Sequence, residues 1–192
     1  MIVLKMAVGR SLMWLLGWSI EAEIPSARRF IVVGHPHTST WDFPLFILML
    51  WSINLPLRWI GKKSLFDSSF GRLFYALGGL PVDRSGGKNM VASVAELFQE
   101  HEDLALGIAP AGTRKYSPHW RSGFYHMAIG AKVPLVLGSI DFKRRVVCIL
   151  ETVHLTGDVS ADMDRIRGVY ASVEGRNPER KVPVRLSVEL GE

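Results

Sequence analysis

Two apolar patterns alternate along this chain, and the alternation leaves few folds open. Phe30–Val33, Leu57–Ile60, Leu104–Ala109, Pro134–Ile140 and Arg145–Leu150 are short runs rich in β-branched residues, and they read as strands. Helix-length stretches lie between them. Lys88–His101 carries Met90, Val91, Val94, Leu97 and Phe98 on one face and Asn89, Ser93, Glu96 and Glu100 on the other. Ser122–Ala131 is predicted helical and stops at Lys132-Val133-Pro134, where the proline cannot continue it. Residues 160–174 align Met163, Ile166, Tyr170 and Val173 on one stripe, behind a cap at Asp158 or Ser160. Strands separated by helices predict an α/β fold, with a mainly parallel central sheet flanked by helices and an apolar N-terminal helix. Sites in such sheets gather in loops beyond the strands' carboxyl ends, here just after residues 34, 83 and 109.

No internal repeat, low-complexity tract or linker interrupts the 192 residues. The chain is therefore expected to form a single domain over 1–192. Residues 1–29 would supply an N-terminal interfacial helix and lead-in, 30–140 the motif-bearing core, and 141–192 the C-terminal strands and helix.

Composition narrows the partners. Hydrophobic residues make up 48% of the chain, with six tryptophans and nine phenylalanines, yet 23 Lys+Arg against 18 Asp+Glu leave a formal charge of +5. Disorder is excluded by the apolar content, and a disulfide scaffold by the single Cys148. A surface both greasy and basic suits phospholipid better than nucleic acid, so no nucleic-acid partner is expected.

No spanning segment is predicted. The longest uncharged stretch, Phe43 to Leu57, is broken by Pro44 and Pro56 and falls short of the roughly 20 apolar residues a spanning helix needs. Ser11–Ile20 follows Lys5 and Arg10 as a signal peptide would, but Glu21-Ala22-Glu23 replaces the small-x-small cleavage pattern. Residues 6–20 are apolar almost all round a helical wheel, with Gly9, Arg10 and Gly17 as the one weak face and Trp14 and Trp18 together on one flank. Docking on the core and insertion into a membrane interface both fit. The expectation is peripheral attachment on the cytoplasmic face.

Gly34-His35-Pro36-His37-Thr38-Ser39-Thr40-Trp41-Asp42 follows the first of these strands. His37 with Asp42 five residues later can form a base–orienter dyad, the carboxylate fixing the imidazole tautomer while the other ring nitrogen takes a proton from a hydroxyl. Asp42 can equally cap the apolar helix entered through Phe43-Pro44, and one oxygen could cap while the other accepts from His37. His35 reads as structural, propped against Pro36. His35-x-His37 also resembles a metal-ligand pair, but a His-x-His-x-Asp-His box would want aspartate where Ser39 stands.

Two further segments end on arginine: Gly78-Gly79-Leu80-Pro81-Val82-Asp83-Arg84 and Ala109-Pro110-Ala111-Gly112-Thr113-Arg114-Lys115. Gly112 permits close backbone approach or a positive φ, and two guanidinium forks from separate strand exits can converge on one anion. The phosphate loop, the dinucleotide fingerprint and the serine-esterase elbow are all missing from the sequence.

In order, His37-x4-Asp42 with Ser39, Gly79-x3-Asp83-Arg84, Pro110-x-Gly112-Thr113-Arg114 and Val133-Pro134-Leu135-Val136 resemble the four blocks of the glycerolipid acyltransferases, whose best-known members are the lysophosphatidic acid acyltransferases. The resemblance spans roughly residues 30 to 140. It implies direct acyl transfer from an acyl thioester, acyl-CoA or acyl carrier protein, to a hydroxyl of a lysophospholipid such as 1-acylglycerol 3-phosphate. On that pattern His37 is the general base, Asp42 its orienter, and no covalent acyl-enzyme forms. Arg84, Gly112, Thr113 and Arg114 would hold the acceptor's phosphate. No cofactor is implied beyond the acyl donor as co-substrate, and the membrane surface is the implied partner.

The chain departs from that pattern at Ala111, where the family usually has glutamate; alanine neither accepts a hydrogen bond nor carries charge. Either a substitution that disables turnover or a divergence to another acceptor or an inactive homologue would produce it. The intact remainder favours the first, so Ala111→Glu is expected to raise activity. Ala109 replaces a common phenylalanine, and the second block lacks its usual aromatic, so an aminoacyl or otherwise modified lipid would also fit as acceptor. Trp59, Phe66, Phe70, Phe74 and Tyr75, interleaved with Arg58, Lys62, Lys63 and Arg72, make 58–75 either membrane-facing or acyl-binding, or an amphipathic helix over Ser69–Leu77 with a solvated basic rim. A third basic group is Lys143, Arg144 and Arg145. The competing functions are a lipid-binding homologue without turnover, supported by Ala111, and a metal-dependent hydrolase, supported by His35-Pro36-His37.

Overall fold

The computed structural model describes residues 2–82 and 90–191. Seven strands, β1 (Ser19–Glu21), β2 (Arg29–Gly34), β3 (Leu57–Lys62), β4 (Gly79–Val82), β5 (Leu104–Ile108), β6 (Leu135–Asp141) and β7 (Val146–Val153), form one sheet in the order β1-β7-β6-β2-β5-β3-β4. Every neighbouring pair is parallel except the β6–β7 hairpin. The helices are α1 (Ile2–Leu15), α2 (Asp42–Ser52), α3 (Lys63–Phe66), α4 (Gly71–Ala76), α5 (Met90–Glu100), α6 (Gly123–Ala131) and α7 (Val159–Val169). The expected α/β architecture is present, with its apolar N-terminal helix.

The apolar runs read as strands because both faces of the sheet are covered. Alternate residues of β2 enter different cores: Ile31 and Val33 pack with Phe98, Phe124, Met127 and Ile166, whereas Phe30 and Val32 pack with Leu45, Leu50, Trp59 and Phe66. β6 divides likewise, Leu135 and Leu137 to the first core and Val136 and Ile140 to the second. Each fully buried aliphatic side chain contributes about 1.5–3 kcal/mol relative to exposure, so these central strands hold the sheet together.

Several boundaries differ from those expected. The 160–174 helix is α7, which ends at Val169; Asp158 is its cap, accepting from the N–H groups of Ser160 and Ala161 at 3.0 and 3.2 Å. Tyr170 and Val173 stay in the same core although they lie beyond the helix. β7 runs three residues past the expected end at Leu150. β1 and α3 went unrecognised because three or four residues carry too little periodicity to read.

The N-terminal helix is the main correction. It spans 2–15 rather than 6–20, ending before Gly17, whose φ is +71°. The face read as weak is the face that docks. A Cβ on Gly9 would lie 2.7 Å from Ser52 Oγ and 2.8 Å from Leu48 O, so only glycine lets α1 approach α2 this closely. Met13 is buried beside it, and Arg10 Nε donates to Ser52 O at the end of α2. Ile2, Val3, Leu4, Leu12, Trp14 and Leu15 are left exposed. Trp18 is separated from Trp14 by the turn and packs edge-on against Phe142, 4.9 Å between centroids.

The 58–75 stretch divides between core and surface. Trp59 and Phe66 are buried, stacked on each other and flanked by Phe74, while Phe70, Leu73 and Tyr75 are exposed around α4, which is shorter than Ser69–Leu77. Arg144 and Lys143, in the β6–β7 turn, pair with Glu21 and Glu174 at 3.0 and 2.8 Å. No helix among the described residues is long and apolar enough to cross a membrane.

Candidate active site

β2 is the central strand, and the segment leaving its carboxyl end delivers His37. His37 Nδ1 lies 3.0 Å from Asp42 Oδ2. That same oxygen accepts from the backbone N–H groups of Thr38 and Ser39 at 2.9 and 3.0 Å. Asp42 is 4% exposed, so the charge is held by three donors in a site largely closed to water. The division of labour expected for the carboxylate is different here. Asp42 is the first residue of α2, Trp41 takes the cap position without a side-chain cap bond, and one oxygen serves both the loop and the imidazole. Ser39 Oγ accepts from the Trp41 N–H at 3.1 Å.

His35 is buried, and its support is wider than the Pro36 expected for it. The peptide joining them is cis. The ring is 2% exposed and meets Trp120 and Tyr170 edge-on at 4.9 and 5.1 Å. Burial, with Lys181 and His37 nearby, pushes its pKa down to about 3, so the imidazole is neutral across the physiological range. His35 and His37 therefore occupy different environments within one loop. Among the described residues no three His, Cys, Asp or Glu side chains gather in a metal-binding cluster.

A cavity of about 950 Å³ opens beside the dyad. His37, Thr40 and Asp42 line it at the ends of the strands, while Phe46, Met49, Leu55 and Leu57 line it between α2 and the opposite ends. Asp42 and Met49 are seven residues apart on α2, roughly 10 Å along the helix axis. The walls are mostly apolar, adding Val32, Trp59, Phe74, Val147 and Ile149. Cys148 and Ser139 also line it, but Sγ and Oγ are 3.0 Å apart and burial pushes the thiol's pKa up, which leaves a poor nucleophile.

The third sequence block forms the turn after β5. Gly112 has φ +64°, the positive value anticipated for it, and its N–H donates to Ala109 O at 3.0 Å. Gly112, Thr113 and Arg114 all line the cavity. Arg84, expected to share their anion, lies outside the described residues together with Asp83. Ala111 is buried in the core formed with α5 and α6 and does not face the cavity.

Lys62, Lys115 and Arg121 join the cavity lining, and sequence reading did not assign them to it. Lys62 closes β3, so the strand-end rule that pointed to residues 34, 83 and 109 also covers it. Arg121 carried no signal of its own; its N–H donates to Pro110 O, bringing the start of α6 against the β5 turn.

An imidazole held by a carboxylate at the mouth of an apolar cavity, with cations at the rim, can deprotonate a hydroxyl beside a bound hydrophobic chain. The acyltransferase family model matches residues 18–139, and the chain belongs to the acyltransferase family. Its fold is similar to the crystal structure of the 1-acyl-sn-glycerophosphate (LPA) acyltransferase PlsC from Thermotoga maritima, with a TM-score of 0.59 and 18% identity over 90% of this chain and 76% of that one. No curated protein matches the sequence.

Proposed function

We propose that this acyltransferase moves a fatty acyl group from an acyl thioester to a hydroxyl of a lysophospholipid, with His37 as the general base. The single observation that carries the reading is the His37–Asp42 pair at the mouth of the apolar cavity. With Nδ1 turned to Asp42, Nε2 is the nitrogen left for substrate. The acceptor hydroxyl would give its proton to Nε2 as its oxygen attacks the thioester carbonyl carbon. The C–S bond then breaks, and the proton passes from Nε2 to the departing thiolate. Lys62, Arg114, Lys115 and Arg121 give the rim a positive charge suited to the acceptor's phosphate, with Gly112 and Thr113 beside them. The apolar depth of the cavity suits the acyl chain.

Peripheral membrane attachment belongs to the same reading. Val3, Trp14 and Leu15 are each more than two-thirds exposed on α1, on a chain of net charge +5, and such a helix lies naturally in an anionic lipid interface. The test is incubation with acyl-CoA or acyl carrier protein thioester and a panel of lysolipids, following free thiol and diacyl product. Thiol release that requires a lysophospholipid supports the assignment. Release with water alone, sensitive to chelators, favours a hydrolase, and lipid binding without turnover even in Ala111→Glu leaves a binding protein.

A further inference from the structure

The loop that carries His37 belongs to no helix or strand, so something outside the sheet must hold it. The segment after α7 does so. Its path is pinned first by Lys181, whose Nζ donates to Val173 O at 2.7 Å and to Tyr170 O at 3.3 Å, and by the Phe142 N–H donating to Glu174 O at 2.9 Å. Gly175 then presses on the loop: a Cβ there would lie 2.6 Å from Thr38 Oγ1 and 3.2 Å from Pro36 Cβ. Asn177 grips Thr38 twice, its backbone N–H donating to Oγ1 at 3.2 Å and its Nδ2 to the carbonyl oxygen at 2.9 Å. Thr38 is 1% exposed, and its own N–H donates to Asp42 Oδ2, the oxygen that receives His37.

From this chain of contacts we infer that Asn177 is a positioning residue for acyl transfer, acting through Thr38 on the His37–Asp42 pair. It lies outside the residues matched by the family model, so nothing in the shared blocks assigns it. The inference rests on His37 being the base. Its physical content is that a carboxylate–imidazole pair works only when oriented, and two bonds to a loop without secondary structure supply that orientation from across the fold.

The experiment compares Asn177→Ala, Thr38→Val and Thr38→Ser with the wild-type chain by three measurements. These are kcat and KM of acceptor-dependent thiol release, the thermal midpoint, and the ring-nitrogen NMR signals of His37. Misplacing a reacting group by about 1 Å costs up to roughly a hundredfold in rate. Asn177→Ala is therefore expected to lower kcat about tenfold or more while KM changes less than about twofold. Thr38→Ser, which keeps Oγ, should lose less than Thr38→Val, which deletes it. The wild-type ring should show a protonated Nδ1 and a bare Nε2, and Asn177→Ala a mixture of tautomers. An unchanged kcat with an unchanged ring signature overturns the inference, as does a loss that follows only the folded fraction and disappears on cooling. Should no form transfer acyl groups, the acyltransfer reading fails separately, and the ring signature still decides: a changed tautomer supports the positioning role, an unchanged one rejects it.

Discussion

Asp42 Oδ2 lies 3.0 Å from His37 Nδ1 while accepting two backbone N–H bonds from the loop between the two residues, so one buried atom both shapes the loop and sets the imidazole. Removing the charge should damage both functions. Asp42→Asn is expected to lower kcat by about 10²–10⁴, the range general-base positioning commonly supplies. It should also lower stability by about 1–3 kcal/mol, because the buried donors it served then meet a neutral amide oxygen in place of a carboxylate. Steady-state rates and denaturant melts on the same preparation separate the two effects; full activity would remove Asp42 from the mechanism.

Ala111 sits where the resemblance to the glycerolipid acyltransferases implies glutamate, at the buried side of the β5 turn whose next residues line the cavity. If the alanine disables turnover, Ala111→Glu is expected to raise transfer several-fold while leaving the thermal midpoint equal or lower, since a buried charge is costly unless paired. Unchanged or reduced transfer would count against a disabling role for the alanine.

Gly107 lines the cavity wall, where a Cβ would lie 2.9 Å from Leu57 Cδ2 and 3.4 Å from Phe46 Cζ. Gly107→Val should narrow the channel and shift the donor preference towards shorter acyl chains. Competition between thioesters of different length reads this directly, and an unchanged preference would place the acyl chain elsewhere.

His35 should give the protein an acid-sensitive stability. Its folded pKa of about 3 lies below its ordinary 6.5, so the unfolded chain binds a proton that the folded chain refuses. The full stability is present above pH 6.5 and falls as pH drops between these values, by about 1.4 kcal/mol per pH unit where His35 alone titrates. His35→Phe, which can occupy the same place between Trp120 and Tyr170, should flatten that slope in urea melts from pH 6.5 to 5. An equal slope in the variant would assign the effect to other groups.

The exposed face of α1 predicts lipid binding that can be removed without unfolding. Leu4→Glu with Trp14→Glu should weaken co-sedimentation with phosphatidylglycerol vesicles by about tenfold or more, since each side chain forfeits at least about 1.5 kcal/mol of apolar burial. Gly9 and Met13 hold α1 to α2 and are untouched, so the thermal midpoint should stay within a few degrees. Undiminished binding would move the lipid contact to another surface.

The core strands and the dyad were legible in the sequence because each depends on local pattern. Ile31 and Val33 alternate with Phe30 and Val32 as a strand covered on both faces must, and His37 and Asp42 are near enough in the chain for one turn to join them. What could not be read depends on distant partners. Gly9 looked like a weak point in an apolar helix until Ser52 and Leu48 were seen to fill the space beside it. Asn177 had no motif around it, since its meaning comes from Thr38, which lies far away in sequence and adjacent in space. Lys62 was read as part of a basic rim, and only the cavity distinguishes it from its neighbour Lys63.

The most direct measurement is acceptor-dependent thiol release by the wild-type chain and by His37→Ala, with acyl-CoA as donor and 1-acylglycerol 3-phosphate as acceptor. Base catalysis by His37 predicts thiol and diacyl product in equal amounts, no release without acceptor, and loss of both in His37→Ala with the fold retained. Thiol release that ignores the acceptor, or that survives in His37→Ala, would contradict it.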